Sequence, residues 1–238
     1  MNLSVIVPAY NEASLLATTL ARIRASLHAT AADSELIVVD NDSEDATAAI
    51  ARDAGATVIS ESTRSIAAVR NVGAAHATGD ILVFIDADTL VPDDLFTAIQ
   101  RALEDERCHG GAVAVEYDEL RRPWMRWYLA GWKFWAAVFN FAQGAAQFSR
   151  RQVFAAVGGY DEGIFMGEDV DFYWRMRRYA RRQGGYVKVL PDPHVVTSGR
   201  RFNKMNAWRV LVLTHPAFIR VTWRTKRWWK DWYDHALR

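Results

Sequence analysis

The chain has 238 residues, 50% hydrophobic and 24% charged, which is ample for a buried core and excludes disorder as the dominant state. One cysteine, Cys108, excludes an internal disulfide framework and any multi-cysteine zinc module. The net charge of +1 hides a split: residues 1–120 carry 7 Lys/Arg against 20 Asp/Glu, net −13, and residues 121–238 carry 22 against 8, net +14, with all ten tryptophans.

Leu3–Val7 is a short apolar run closed by Pro8, which predicts a strand. From Glu12 to His28 apolar residues recur at helical spacing. Leu36–Val39 predicts a second strand, ending at Asp40. Ser43 then caps a helix over Glu44–Ala54 that Gly55 stops. Thr57–Ser60 and Ile81–Ile85 read as strands, with helices over Ser65–His76 and Asp93–Leu103. Gly111–Tyr117 and Gln143–Ser149 read as strands, followed by a short helix over Arg151–Val157. A helix runs from Glu168 to Arg182, and Tyr186–Leu190 is a strand that Pro191 and Pro193 break. Lys204–Leu237 reads as one or two helices. Alternating strands and helices predict an α/β fold with a mostly parallel central sheet, and strands without polar alternation predict helices on both its faces.

Met1-Asn2-Leu3-Ser4 lacks a basic n-region, and no run reaches the ~18 apolar residues of a membrane span. The expected location is cytoplasmic, with peripheral attachment to the inner face of a membrane left open.

In such a sheet ligands bind at the carboxyl ends of the strands. Three polar clusters fall there: Tyr10-Asn11-Glu12, Asp40-Asn41-Asp42 and Asp86-Ala87-Asp88. No G-x-G-x-x-G and no P-loop motif is present. Two carboxylates at Asp86 and Asp88 suit a hard divalent cation, Mg²⁺ or Mn²⁺, that completes its shell with phosphate oxygens and water. Asn41 has an amide able to read a base edge. Glu168-Asp169-x-Asp171 opens a helix behind Gly167, where a carboxylate is stabilised and can take a proton from a hydroxyl. Asp169 and Asp171 lie on different helix faces, so only one is expected to face the cleft.

Together these motifs resemble family 2 of the glycosyltransferases, which have the GT-A fold. The matching segments are Val5-Ile6-Val7-Pro8-Ala9-Tyr10-Asn11-Glu12, Val38 to Thr47, Arg70-Asn71-x-Gly73, Gly79-Asp80, Phe84-Ile85-Asp86-Ala87-Asp88, Gly158 to Glu162, and Gly167 to Asp171 with Arg175. The resemblance covers residues 1 to about 202 and implies an inverting transfer of a sugar from a nucleotide-diphospho-sugar donor. It implies that Pro8, Tyr10 and Glu12 line the nucleoside pocket and that Asn41 meets the base. Arg70 falls at a donor contact. Asp86, Ala87 and Asp88 form the D-x-D that holds ribose and metal-bound diphosphate, and Glu168-Asp169 supplies the base, usually the Asp. The family often has Asp where this chain has Asn41. Many members also supply a late His to the metal; here His194 comes early and Thr197-Ser198 takes that place. Arg200 and Arg201 are then suited to clamp the diphosphate.

The expected organisation is a transferase domain over 1–203, with a donor half (1–120) and an acceptor half (121–203), and a basic, aromatic helical tail over 204–238. Trp124, Trp127, Trp132, Trp135, Trp223, Trp228, Trp229 and Trp232 alternate with Arg and Lys, a composition suited to lipid headgroups and a lipid-linked acceptor. The same residues also suit packing on the domain or on a second subunit. No nucleic-acid motif accompanies the charge. A nucleotidyltransferase is the alternative enzyme, but the loop Pro-Ala-Tyr-Asn-Glu after the first strand lacks the glycines and basic residues that hold a triphosphate. A non-catalytic binding protein is the other alternative; it requires Asp86, Asp88 and Asp169 to be dispensable.

Overall fold

The computed structural model describes residues 1–30, 33–118, 120, 122, 124–125, 127–129, 131, 144–200, 203, 207–213 and 216–229. Its strands are β1 (Leu3–Ala9), β2 (Ser34–Asp40), β3 (Thr57–Ser60), β4 (Ile81–Ile85), β5 (Thr89–Leu90), β6 (Cys108–Tyr117), β7 (Ala146–Arg150) and β8 (Tyr186–Thr197). Its helices are α1 (Leu16–His28), α2 (Thr47–Asp53), α3 (Ile66–His76), α4 (Leu95–Leu103), α5 (Arg151–Ala156), α6 (Glu168–Arg182), α7 (Ala207–Leu213) and α8 (Pro216–Thr222).

One sheet holds all eight described strands, in the order β3-β2-β1-β4-β7-β6-β8-β5. β1, β2, β3 and β4 pair in parallel, as apolar strands joined by helical crossovers must. Beyond β4 the sheet becomes mixed, with β6 and β8 still pairing in parallel. β7 runs antiparallel to both β4 and β6, and β5 runs antiparallel to β8. β7 comes from the basic part of the chain and lies between two strands of the acidic part, so the two halves share one sheet.

The alternation of β1 divides the core. Leu3, Val5 and Val7 face α1 and α4 in one cluster, with Leu20, Ile23, Phe96 and Ile99. Ile6 faces the other side, in a cluster with Phe84 of β4 and with Phe154, Tyr160 and Phe172 from α5, α6 and the loop between them. Burial on both faces matches the unbroken apolar strands. On the second face, Gly73 of α3 lets that helix lie close on the sheet: a Cβ there would stand 2.4 Å from Ile6 and 3.0 Å from Val39.

Several element limits differ from the expected ones. α2 starts at Thr47, not Glu44, and its N-cap Ala46 makes no side-chain cap bond. Ser43 is not that cap; its Oγ accepts the Asn11 N–H at 2.9 Å. β8 does not stop at Leu190. It passes the two prolines by a register shift, from Val113 opposite Leu190 to Val115 opposite Val195. Among the described residues, no helix is long and apolar enough to cross a membrane. The expected aromatic positions Trp132, Trp135 and Trp232, and much of the helix expected over Lys204–Leu237, lie outside the described residues.

Candidate active site

The loops after β1 and β2 are fastened to each other. Asn11 and Asp42 both adopt left-handed backbone, φ 51° and 60°, a conformation that Asn and Asp tolerate better than most residues. Asn11 Oδ1 accepts the Glu44 N–H at 2.9 Å, and the Glu12 N–H donates to Thr47 Oγ1 at 2.8 Å. Asp45 accepts the N–H groups of Ala13 and Thr47. This staple fixes Tyr10 and Glu12 at the strand ends. The Arg64 guanidinium carbon lies 3.6 Å above the Tyr10 ring centroid, a close cation–π contact. Asn41 is buried, and both of its amide hydrogens are committed: Nδ2 donates to the carbonyls of Glu61 and Thr63 at 2.6 and 2.9 Å. Its Oδ1 takes no part in these two bonds.

The D-x-D segment follows β4. Asp86 Oδ1 accepts from Arg70 Nη2 at 2.8 Å, and the Asp86 N–H donates to the Ala145 carbonyl at 3.1 Å. Ala87 is buried in the core, so its side chain packs inward. Asp88 accepts from Thr197 Oγ1 at 3.3 Å and from Arg200 Nη2 at 3.4 Å. Arg200 also pairs with both carboxylate oxygens of Glu12. It therefore links the segments after β1, β4 and β8. Arg201 lies outside the described residues. His194 faces Glu116 across the β6–β8 pair at 3.5 Å, whereas Thr197 stands beside Asp88.

Glu168 and Asp169 open α6, where carboxylates favour the helix N-terminus. The backbone N–H groups of Gly144 and Val170 bond to the Asp169 carboxylate. Gly144 is required there, because a Cβ would stand 2.4 Å from Asp169 Cβ and 2.6 Å from Oδ2. Asp171 turns the other way and pairs with Arg175 Nε at 2.6 Å. Only Asp169 of the two reaches Gly144, as the helical spacing requires.

Arg70 joins the two carboxylate groups. It is 3% exposed, and its Nη1 reaches Glu168 Oε1 at 3.0 Å while Nη2 holds Asp86. Its contact with the D-x-D segment is therefore with Asp86. Its guanidinium also lies 5.2 Å from the Tyr160 ring. Tyr160 donates to Gln147 Oε1 at 2.9 Å, and Gln147 Nε2 donates to the Asp169 carbonyl at 3.0 Å. Burial, then the charge of Asp169, pushes Glu168 up to about 7 against the pull of Arg70. Burial also raises Asp169. One guanidinium thus faces three carboxylates, Asp86, Glu168 and Asp169.

That surplus of negative charge and the hard oxygens of Asp86 and Asp88 fit a divalent cation. Among the described residues no group of three or more His, Cys, Asp or Glu is arranged around a metal position. A cation held here would draw its other ligands from phosphate and water, which is ordinary for Mg²⁺.

Gly144, Gln147 and Arg64 carry much of this geometry without belonging to any matching segment, and Tyr160 belongs to one that assigns it no role. Each is a common residue in a common context. Only the pairing of β7 with β4 brings Gly144 and Gln147 to the cleft.

Carboxylates gathered at the strand ends of a mixed, helix-covered sheet define a GT-A glycosyltransferase fold. The family model for "Glycosyl transferase family 2" matches residues 4–158, and the chain belongs to that family. Glycosyltransferase AglE of Haloferax volcanii is 26% identical over 192 residues, covering 73% of this chain and 60% of the relative. The uncharacterized glycosyltransferase YfnE of Bacillus subtilis is 40% identical over 114 residues, covering 44% and 28%. The chain therefore spans about 60% or less of the length of these curated relatives. Among solved structures, mannosyltransferase PcManGT from Pyrobaculum calidifontis, in complex with GDP-Man and Mn²⁺, superposes with a TM-score of 0.65 at 24% identity, covering 87% of this chain and 59% of that one. S. aureus TarS 1–349 in complex with UDP-GlcNAc also gives 0.65, at 18% identity, covering 84% and 59%. Both likenesses bear on the fold.

Proposed function

We propose that this chain is an inverting glycosyltransferase that moves a sugar from a nucleotide-diphospho-sugar to an acceptor hydroxyl with help from Mg²⁺ or Mn²⁺. The observation that carries the reading is the Arg70 bridge, which ties the D-x-D end of β4 to the Glu168–Asp169 end of α6 in one buried network. Neighbouring structures hold GDP-Man with Mn²⁺ and UDP-GlcNAc, which supports a nucleotide-sugar donor of either kind.

In this reading Tyr10, Glu12 and Asn41 bound the nucleoside pocket, with Pro8 at its floor. Asp88 and Asp86 hold the cation, and Arg200 leaves Glu12 and Asp88 to meet the diphosphate, for which a guanidinium is well suited. The cation, when bound, neutralises charge on the diphosphate oxygens. Asp169 takes the proton of the acceptor hydroxyl, and that oxygen bonds to the anomeric carbon from the face opposite the leaving group. The bond from that carbon to the diphosphate breaks, with its electron pair passing to the diphosphate. A single displacement inverts the anomeric centre and needs no second nucleophilic carboxylate. Glu168, held by Arg70, orients the start of α6. Residues 1–203 serve as the transferase domain and 204–238 as an appended element.

The acceptor is proposed to be lipid-linked and met at a membrane surface. Trp127, Trp208, Trp228 and Val221 are exposed in the part of the chain with net +14, which supports contact with anionic headgroups.

Donor turnover across a panel of nucleotide sugars with Mn²⁺ or Mg²⁺ tests the reaction. Folded protein that binds and turns over no donor would overturn it. Flotation with anionic liposomes, with and without residues 205–238, tests the membrane contact; equal flotation of both forms counts against the tail as its site.

A further inference from the structure

The C-terminal segment lies beyond the residues that the family model matches. α8 and the turn after it run along the loop 161–167, and every second residue of that loop meets them. Arg224 Nη2 pairs with Asp161 Oδ2 at 2.6 Å. A Cβ on Gly163 would stand 3.0 Å from Arg224 Nη1. The Phe165 N–H donates to the Trp223 carbonyl at 2.7 Å. A Cβ on Gly167 would lie 3.7 Å from Ile219.

The segment is anchored at its own end. Trp229 is fully buried, and its indole N–H donates to the Thr222 carbonyl at 3.0 Å. The loop is gripped from its other side by Asn71, whose Nδ2 donates to the Tyr160 carbonyl and to Glu162 Oε1, both at 2.9 Å. The loop ends at Gly167, the left-handed N-cap of α6, which makes no side-chain cap bond. The direction in which α6 starts therefore depends on how the loop is held as well as on the Arg70–Glu168 pair.

We infer that residues 216–229 form a strap that positions the Glu168–Asp169 end of α6 through the loop 161–167, with Arg224 as its positioning residue. Its catalytic consequence rests on the transferase reading above; its mechanical part does not. Asp161 also accepts the Gly163 N–H at 2.9 Å, so loss of Arg224 releases the turn that carries this bond. A small displacement of Asp169 lowers the chemical step without touching the nucleotide pocket, and misplacement by about 1 Å can cost up to about 10²-fold.

The test uses the full chain as wild type, Arg224→Ala and Arg224→Lys. Hydrogen–deuterium exchange is followed over the loop 161–167 and over β1. Turnover is measured with GDP-mannose and with UDP-N-acetylglucosamine, each with Mn²⁺. Arg224→Ala is expected to speed exchange in the loop about tenfold while β1 is unchanged, as for a local opening. It is expected to lower kcat about tenfold with the donor KM within about twofold, and Arg224→Lys is expected to restore most of both. Unchanged exchange in the loop overturns the strap. A loss carried by the donor KM overturns its positioning role. A folded wild type that turns over neither donor counts against the transferase reading, while the exchange result still decides the strap.

Discussion

Arg70 and Glu168 stand 98 residues apart in sequence and meet at 3.0 Å in a buried pair. The same guanidinium holds Asp86, so one side chain from α3 fixes the distance between the end of β4 and the start of α6.

Removing that cation leaves Asp86, Glu168 and Asp169 facing one another. Breaking a buried pair from one side typically costs about 3–5 kcal/mol. Arg70→Ala is expected to lose stability in that range at neutral pH, read by urea denaturation. The loss is expected to shrink as pH falls and the carboxylates take up protons. A loss below about 1 kcal/mol at neutral pH would show that the network is not what holds α6 to β4.

Glu168 keeps its proton to about 7 in the folded chain, against an ordinary value of 4.5. Between those values the unfolded chain has lost the proton and the folded chain retains it. The stability that this group contributes is therefore present below 4.5 and lost as pH rises through about 7. Melting temperature is expected to fall across that window, and Glu168→Gln is expected to flatten the fall. Turnover is expected to move the other way, rising with pH, because the base must be ionised.

Asp169→Asn is expected to lower transfer by about 10²–10⁴-fold, the usual contribution of a general base, with nucleotide binding kept. Gly144→Ala is expected to approach the same loss, because its new methyl falls on the Asp169 carboxylate. Titration of GDP or UDP with Mn²⁺ separates binding from chemistry in both variants. Full transfer by Asp169→Asn would move the base elsewhere.

Arg200 stands on Asp88 and Glu12, where it competes with any cation that Asp88 would take. Arg200→Ala is expected to bind Mn²⁺ alone more tightly and a nucleoside diphosphate more weakly. Isothermal titration of each measures the two signs separately. Weaker binding of both would assign Arg200 to holding the loops and not to exchange with the ligand.

Much of this was legible in the sequence wherever side-chain type alone decides. The apolar runs of β1, β2 and β4 announce buried strands, Asp40 and Asp86 announce the ends of β2 and β4, and Glu168 announces the start of α6. What was hidden depends on pairing across distance. β5 has two residues, too few to show a period, and exists because Thr89 meets Thr197. Pro191 and Pro193 read as the end of a strand, yet the register shift absorbs them. Ser43 has the composition of a cap, but the Asn11 N–H lies nearer to it than the start of α2 does. The carbonyls of Glu61 and Thr63 take up the amide hydrogens of Asn41, a pairing that its place in the sequence does not announce.

The placement of β7 between β4 and β6 weaves the two charge classes together instead of joining them end to end. A fragment cut near residue 120 would leave β4 without β7, β6 without either of its partners and β5 without β8, the state in which sheets find wrong partners. The acidic half and the basic half therefore cannot be exchanged as modules. Change in either half has to preserve the pairing of β7, supplied by the basic half, with β4 and β6 of the acidic one.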